Sequence, residues 1–212
     1  MKLHWSPRSP FVRKVMIVLH ETGQIDRVRC VRSAVGMAQI NEALLLDNPL
    51  NKIPTLLLDD GRVLFDSRVI CEYLDGLHSG TRLFPMDRDA YFRAVTWQAL
   101  GDGLTDTLLV WRNWAIERGL APEDQSDAYL VAFARKTDSA LDALDRDAPA
   151  LQAAPFGIGH IAIGCALGQL DFRWADRDWR RRRPALAGWE IEFADRPSAQ
   201  ATAIVDDSAP AR

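Results

Sequence analysis

The sequence predicts a small α/β domain followed by an all-helical domain, and three observations support this fold class. Two short runs with strand character, Leu3 to Trp5 and Val28 to Val31, flank a stretch from Pro10 to Thr22 with helical apolar spacing. This is the pattern of a βαβ unit. Two apolar runs flank Asp59-Asp60-Gly61, and an Asp-Gly turn between such runs predicts a hairpin. From residue 89 onward the apolar spacing is helical throughout.

The elements of the first domain follow one another in the order β-α-β-α-β-β-α. Gly23 comes directly after the last periodic residue of the first helix and ends it. A second segment runs from Met37 to Leu46, and the hairpin strands are Pro54 to Leu58 and Arg62 to Phe65. Asp66-Ser67 then opens a third helix. We expect the first two strands to pair in parallel, because a helix connects them.

The second domain consists of helices behind an irregular linker. Gly80 and Pro85 break the pattern before residue 89, and Ile158 to Trp174 is apolar almost all round, which is typical of a central, buried helix. The chain from Arg196 onward is rich in Ala, Asp, Ser and Pro, and we expect it to be loose. We place the first domain at residues 1–78, the linker at residues 79–88 and the second domain at residues 89–212. The spacing predicts further helices over Tyr91 to Arg118, Glu123 to Asp147 and Pro184 to Ala194. Gly101 and Gly103 interrupt the first of these helices.

The composition is that of an ordinary globular protein. The 212 residues carry 26 basic and 29 acidic side chains, for a formal net charge of −3, and 48% are hydrophobic, which excludes a disordered or collagen-like chain. No apolar run approaches the ~20 residues of a membrane span. The amino-terminal segment has no apolar signal region, so we expect a cytoplasmic protein. Cys30, Cys71 and Cys165 have neither metal-ligand nor redox spacing, and we expect buried or half-buried free thiols.

Ser9 is the first candidate for chemistry. It stands where the first strand leads into the first helix, and backbone N–H groups and the helix dipole at such a position favour an anion. A thiolate or a carboxylate would fit. The alternative is that Ser9 is an N-cap with Pro10 as the first helical residue, a common helix start. Ser6, in the same loop, is a weaker competitor for the chemical role.

Four stretches of the sequence resemble cytosolic glutathione transferases of the bacterial type. The first two are Ser-Pro-Phe-Val-Arg-Lys-Val at 9–15 and Asn-Pro-Leu-Asn-Lys-Ile-Pro-Thr-Leu at 48–56. The third is Leu-Phe-Asp-Ser-Arg-Val-Ile-Cys-Glu-Tyr-Leu-Asp at 64–75, and the fourth, at 161–173, resembles the core helix of the family's second domain. Because the four occur in the family's order, the resemblance covers residues 1 to about 195.

The resemblance implies a thioredoxin-like first domain that binds glutathione as cosubstrate and a helical second domain that lines the pocket for a small electrophile. It also implies a homodimer. Ser9 matches the serine whose hydroxyl hydrogen-bonds the glutathione sulfur. Redox relatives have Cys-x-x-Cys here, whereas residues 9 and 12 are Ser9 and Val12. Since neither is a thiol, dithiol exchange has no nucleophile.

The resemblance gives four more residues a role in glutathione binding, and Lys52 is a further candidate from its position before Ile53. Pro54 matches the family's cis-proline, which leaves the backbone of Ile53 free to pair with the cysteinyl part of glutathione like an added strand. Ser67 would hold the γ-glutamyl carboxylate and Asp66 the charged amine, although Asp66 is also an excellent plain N-cap. Lys52 is a weaker candidate for a ligand carboxylate, because an exposed lysine is more often only solvated.

The chain departs from the family's pattern in two places. The core helix usually opens with a Ser or Thr N-cap and an Asp three residues on, whereas this chain has Gly157 and His160. We therefore expect both bonds of a capping box to be missing. Asn51 stands where the family mostly has glycine, so the turn before Lys52 is expected to need a left-handed conformation, which asparagine tolerates at some cost.

Other candidate functions find less support. The four histidines have no i,i+4 pair and no nearby cysteine, so we assign no metal site. The basic cluster Arg180 to Arg183 reads as a solvated helix end favoured by the dipole rather than as a nucleic-acid surface, given the negative net charge. We also expect no membrane partner. A glutathione-transferase-like module without catalysis, acting by interaction or regulation, remains the alternative function, and the sequence does not identify the electrophile.

Overall fold

A computed structural model describes residues 1–121 and 124–207. It divides into two compact units, Met1–Tyr91 with the segment from Pro197, and Phe92–Arg196. The strands of the first unit are β1 (Lys2–Trp5), β2 (Arg29–Arg32), β3 (Thr55–Leu57) and β4 (Val63–Leu64). The helices in chain order are α1 (Pro10–Glu21), α2 (Glu42–Asp47), α3 (Ser67–Asp75), α4 (Arg88–Arg118), α5 (Ala128–Ala153), α6 (Ile158–Arg173), α7 (Trp179–Arg182), α8 (Pro184–Ala194) and α9 (Pro197–Ala201).

The four strands form one sheet in the order β2-β1-β3-β4. β1 pairs with β2 in parallel, with Leu3 opposite Cys30, and antiparallel with β3. Cys30 is exposed, contrary to the expectation of buried or half-buried cysteines, because it lies on the outermost strand of the sheet. β3 and β4 form the antiparallel hairpin around the Asp-Gly turn. The predicted βαβ unit and hairpin are therefore confirmed. Helices α1 and α3 pack against each other and bury Val15, Leu19, Ile70 and Leu74.

The stretch after α3 is fixed by a buried carboxylate. Asp75 is 1% exposed, and its side chain accepts hydrogen bonds from the backbone N–H groups of Leu83 at 2.8 Å and Phe84 at 3.3 Å. It also pairs with His78 at 3.2 Å and Arg82 at 3.3 Å. Since a buried charge requires such partners, Asp75 holds residues 82–84 against the end of α3. The linker predicted for residues 79–88 is ordered in this part.

Helix α6 is the centre of the second unit, as its apolar sequence predicted. Its residues from Ile158 to Leu167 are all buried. Helix α4 is continuous through Gly101 and Gly103, where the sequence predicted an interruption. A Cβ on Gly101 would lie 2.6 Å from the carbonyl carbon of Ala162, so this glycine permits close helix packing rather than a break. None of the described helices is long and apolar enough to cross a membrane.

The start of α6 corrects the expectation that both capping bonds are missing. Gly157 has no side chain to cap the helix, but its N–H donates to Nδ1 of His160 at 3.2 Å. The Nε2 of His160 lies 2.9 Å from the carbonyl oxygen of Leu151. Because Nδ1 accepts and Nε2 must donate, the imidazole is neutral. It supplies the reciprocal bond that a carboxylate would otherwise make.

The cap predicts a pH dependence of stability. Burial lowers the pKa of His160 below its ordinary value, so the unfolded chain binds a proton that the folded chain does not. We expect the free energy of unfolding to fall as the pH drops below about 6.5, until the lowered pKa of the folded state is reached. Denaturant titrations at several pH values should show a flatter profile for His160→Asn than for the parent protein. An unchanged profile in His160→Asn would contradict the assignment.

The basic cluster at α7 is held by carboxylates, which the interpretation as a solvated helix end did not anticipate. Arg180 binds Asp171 through two bonds of 2.8 and 2.6 Å and Glu190 at 2.9 Å. The bond to Asp171 raises the pKa of Arg180. Arg183 is only 2% exposed and donates to Asp142 at 2.8 Å. These ion pairs join α5, α6 and α8 around α7, so the cluster is part of the packing.

The segment after α8 differs from the loose chain expected there. Pro197–Ala201 form α9, which contacts α1. The Ser198 hydroxyl donates to Glu21, and Arg13 donates to the carbonyl of Ala199 at 3.3 Å. Residues 197–207 thus return to the first unit, while residues 208–212 lie outside the described part of the chain. The predicted helix start at Glu123 also lies outside it, and α5 is seen from Ala128.

Candidate functional site

The sheet register brings three separated segments to one edge. His4 lies opposite Thr55 and Leu56 opposite Leu64. The loop after β1, the residues before β3 and the residues after β4 therefore emerge at the same end of the sheet. All six candidate residues belong to these segments: Ser9 to the first, Lys52, Ile53 and Pro54 to the second, and Asp66 and Ser67 to the third.

Ser9 is the N-cap of α1, as the simpler interpretation proposed. Its hydroxyl oxygen accepts the backbone N–H of Val12 at 3.3 Å, and its φ and ψ of −82° and 118° are extended. This bond uses a lone pair and leaves the O–H proton available to a ligand. Ser6 is buried and accepts the N–H of Arg8 at 3.4 Å. Capping and donation to a sulfur are compatible at Ser9.

A buried asparagine that sequence reasoning did not single out shapes the loop before β3. Asn48 is 1% exposed; its amide donates to the carbonyl of Lys52 at 3.1 Å and to the Thr55 hydroxyl at 2.9 Å. Its oxygen accepts the N–H of Leu50 at 2.9 Å. The side chain thus closes the loop that carries Ile53. Its place at the head of a turn is a signal that could have identified it, because asparagine side chains often bond nearby backbone in turns.

The Ile53–Pro54 peptide bond is cis, as the resemblance implied. Neither the N–H nor the C=O of Ile53 has a hydrogen-bond partner among the residues that the structure describes. Both groups lie just before β3, next to the end of β1 in the register. An extended ligand can therefore bind this backbone as an added strand does. Lys52 is exposed, and its backbone carbonyl accepts hydrogen bonds from Asn48 and Thr55.

Asn51 has the left-handed conformation that the sequence predicted, with φ at 52°. Its side chain also makes two hydrogen bonds, which a glycine at this position could not make. The oxygen accepts the N–H of Asn41 at 2.9 Å, and the amide donates to the carbonyl of Asn41 at 2.8 Å. Asn41 in turn caps α2 through the N–H of Leu44 at 3.1 Å. Asn51 thereby connects the loop before β3 with the start of α2.

We expect Asn51→Gly to destabilise the protein despite relieving the left-handed backbone. Loss of two hydrogen bonds costs about 2 kcal/mol, and glycine at positive φ recovers about 1 kcal/mol, for a net loss of about 1 kcal/mol. Asn51→Ala loses the bonds and retains the strain, so it should be the less stable variant. Urea titrations of both variants test this order, and an Asn51→Gly protein as stable as the parent would mean that the two bonds contribute little.

The start of α3 presents a second set of polar groups. Asp66 is the exposed N-cap, and its carboxylate accepts the N–H of Arg68 at 2.9 Å. Ser67, the first helical residue, is 2% exposed, and its hydroxyl has no hydrogen-bond partner within the described ranges. A helix start with unused donors favours a carboxylate, while the exposed Asp66 favours an amine. The pair therefore suits an α-amino acid group.

His4 also belongs to this unit and was not assigned from the sequence. It is buried; its Nδ1 lies 2.7 Å from the Ser33 hydroxyl, and its Nε2 lies 2.8 Å from the carboxylate of Asp47. Lys2 pairs with the same carboxylate at 2.8 Å. The hydrogen bond from Lys2 is the main reason why the pKa of Asp47 is lowered. These contacts attach the end of α2 to β1. No cluster of three histidine, cysteine or acidic residues suited to a metal occurs among the described residues.

The chain matches known proteins along most of its length. The glutathione S-transferase N-terminal domain model matches residues 8–77, and the C-terminal domain model matches residues 115–190. The uncharacterised GST-like protein YibF of Escherichia coli is 32% identical over 191 residues, which cover 88% of this chain and 90% of YibF.

Two solved structures are also similar over nearly the whole chain. A glutathione transferase family member from Pseudomonas fluorescens, solved with bound glutathione, is 45% identical with a TM-score of 0.88, covering 95% of this chain and 97% of that chain. A structure of a family member from the same organism, with bound S-(propanoic acid)-glutathione, is 42% identical with a TM-score of 0.85, covering 97% and 100%.

The fold and the matches together define the class of protein: a thioredoxin-like α/β domain followed by a helical domain. The chain belongs to the glutathione S-transferase family.

Proposed function

We propose that this protein binds glutathione at the sheet edge described above, activates its thiol with Ser9 and transfers it to a small electrophile by addition or substitution. The observation that carries the proposal is the set of unused hydrogen-bonding groups at that edge: the Ser9 proton, the backbone of Ile53 and the Ser67 hydroxyl. The relatives from Pseudomonas fluorescens that were solved with glutathione and with a glutathione conjugate support it.

Each residue has a distinct proposed role in holding the cosubstrate. The N–H and C=O of Ile53, presented by cis-Pro54, pair with the cysteinyl part of glutathione. Ser67 donates to the γ-glutamyl carboxylate, and Asp66 pairs with the amine. These contacts place the thiol beside Ser9, where the start of α1 favours the anion. Lys52 is proposed to approach a ligand carboxylate from the exposed side of the loop.

We further propose a homodimer that acts on reactive electrophiles in the cytoplasm, with neither nucleic acid nor membrane as partner. The segment around α2 supports the dimer, because it exposes large apolar side chains that a second copy could cover: Met37, Ile40, Leu46 and Leu50. Sedimentation equilibrium measures the mass directly, and a monomer at micromolar concentration would contradict this part of the proposal.

Calorimetry with glutathione tests binding. The parent protein should bind glutathione, and Ser67→Ala should bind about tenfold more weakly, because a charge-assisted hydrogen bond is lost at a cost of about 1.5 kcal/mol. Ser79→Ala, an exposed serine beyond α3, is the matched control and should bind like the parent. Parent protein that binds no glutathione at millimolar concentration would contradict the enzyme and favour the non-catalytic interaction module.

A further inference from the structure

Two arginines lie at the same sheet edge as Ser9 and have no role in the function proposed above. Arg8 directly precedes Ser9 in the loop after β1. Arg32 ends β2, and the parallel register places it opposite Trp5, the last residue of β1. Arg8, in the loop after β1, and Arg32, at the end of β2, thus lie at the end of the sheet where Ser9 is found.

The chain's own C-terminal segment supplies the carboxylate between them. Asp207 Oδ1 lies 2.6 Å from Arg8 Nε, and its Oδ2 lies 2.5 Å from Arg32 Nε. Asp206 is a more distant partner of Arg8, at 3.9 Å. The segment is fixed nearby by a hydrogen bond of 3.4 Å from the N–H of Val205 to the carbonyl of Pro7. A single carboxylate thus bridges both arginines, and the bond from Arg32 lowers the pKa of Asp207.

Asp207 is a replaceable ligand for this pair. The buried Arg8 Nε has no hydrogen-bond acceptor among the described residues. Asp207 lies close enough to attract the guanidinium electrostatically, but its carboxylate is not aligned to accept the Nε–H hydrogen. The side chains of Arg8 and Arg32 are 30% and 36% exposed. Ion pairs with this exposure contribute little net stability. A carboxylate that satisfies Arg8 Nε can therefore displace Asp207.

We propose that Arg8 and Arg32 form a carboxylate-binding site, which Asp207 fills in the free protein and which receives the carboxylate of an acidic electrophile during transfer. This rests on the proposed function and deepens it by naming the substrate class. With a 4-chloro-3-nitrobenzoate acceptor, the thiolate sulfur forms a bond to the ring carbon that carries chlorine, and chloride leaves with its electron pair. The arginines hold the ring carboxylate and take no part in the bond changes.

The test measures binding, so that it does not depend on turnover. Two conjugates that differ in one group are titrated by calorimetry: S-(4-carboxy-2-nitrophenyl)glutathione and its 4-carbamoyl analogue. The parent should prefer the carboxylate by about fivefold to tenfold, because each guanidinium offers a charge-assisted bond. Arg8→Gln and Arg32→Gln should abolish this preference. Arg29→Gln, at the opposite end of β2 where residue 29 faces Lys2, is the control and should retain it.

Removing the internal competitor tests the second half of the proposal. In Asp206→Asn/Asp207→Asn the carboxylate conjugate should bind about fivefold more tightly than in the parent, while the carbamoyl conjugate and glutathione itself bind as before. Equal affinity of the carboxylate conjugate for this variant and the parent would overturn the displacement of Asp207.

The remaining outcomes separate this inference from the proposed function. No preference between the conjugates in a parent that binds glutathione would overturn the carboxylate site alone, whereas a parent that binds neither conjugate nor glutathione would refute the proposed function itself. The glycine carboxylate of glutathione has the same chemistry, so glutathione and its glycine amide are compared as well. If Arg8→Gln or Arg32→Gln weakens glutathione but not its amide, the site serves glutathione and the assignment to the acceptor is overturned.

Discussion

Ser9→Ala is expected to slow conjugation at neutral pH by roughly ten- to a hundredfold while glutathione affinity stays nearly unchanged. A free thiol titrates near 8.5, so only a few per cent is thiolate at pH 7. In the function proposed above, the Ser9 hydroxyl and the start of α1 both favour the anion. Lowering the thiol pKa to about 6.5 corresponds to ~2.7 kcal/mol, which one charge-assisted bond and a helix terminus can supply together. Without the hydroxyl, the pH midpoint of turnover should move towards 8.5.

The decisive measurement is the ultraviolet absorbance of the bound thiolate against pH. Because Ser9 also accepts the N–H of Val12, Ser9→Ala loses a helix cap as well and should be less stable by about 1 kcal/mol. Ser9→Thr keeps both the cap and the hydroxyl, and should therefore retain most of the activity. Ser6→Ala is the matched control in the same loop. A parent-like thiolate curve in Ser9→Ala, with a shifted curve in Ser6→Ala, would transfer the role to Ser6.

Gly101→Ala is expected to destabilise the protein by about 2 kcal/mol, whereas Gly103→Ala in the same helix should stabilise it. A Cβ on Gly101 would lie 2.6 Å from the carbonyl carbon of Ala162 and 2.7 Å from the nitrogen of Ile163. These are backbone atoms, so α4 and α6 must move apart. Overpacking of this kind costs about 3 kcal/mol, less about 1 kcal/mol gained from replacing glycine in a helix.

Substitution of Gly103 measures the gain in helix propensity without the overpacking, because a Cβ on Gly103 would meet nothing within 4 Å. Its substitution should yield up to about 1 kcal/mol of stability from helix propensity alone. Urea titrations of the two variants measure the contrast. If both substitutions shift the midpoint in the same direction, the close approach of α4 and α6 does not control stability at Gly101.

Sequence patterns predicted much of the candidate site because local residue types mark it. Ser9 and Asp66 are cap residues at helix starts, and the Asp-Gly turn sets the hairpin that brings Asp66 back to the sheet edge. The resemblance gave Pro54 and Ser67 their proposed roles. Asn48 was not singled out: its place at the head of a turn is a local signal, but only the fold shows that its amide closes a loop with Thr55, seven residues away.

The sequence by itself determined the order of elements, the parallel pairing of β1 and β2 and the buried nature of α6. Each depends on apolar spacing or turn chemistry within a few residues, which the chain carries locally. Only the tertiary structure decided the roles of Gly101, His160 and Arg183. Packing against Ala162 turned an apparent helix break into a close contact, and burial made His160 a neutral cap and Arg183 a partner of Asp142. The physical reason is that desolvation and steric contact depend on residues distant in sequence, and these become neighbours only when the chain has folded.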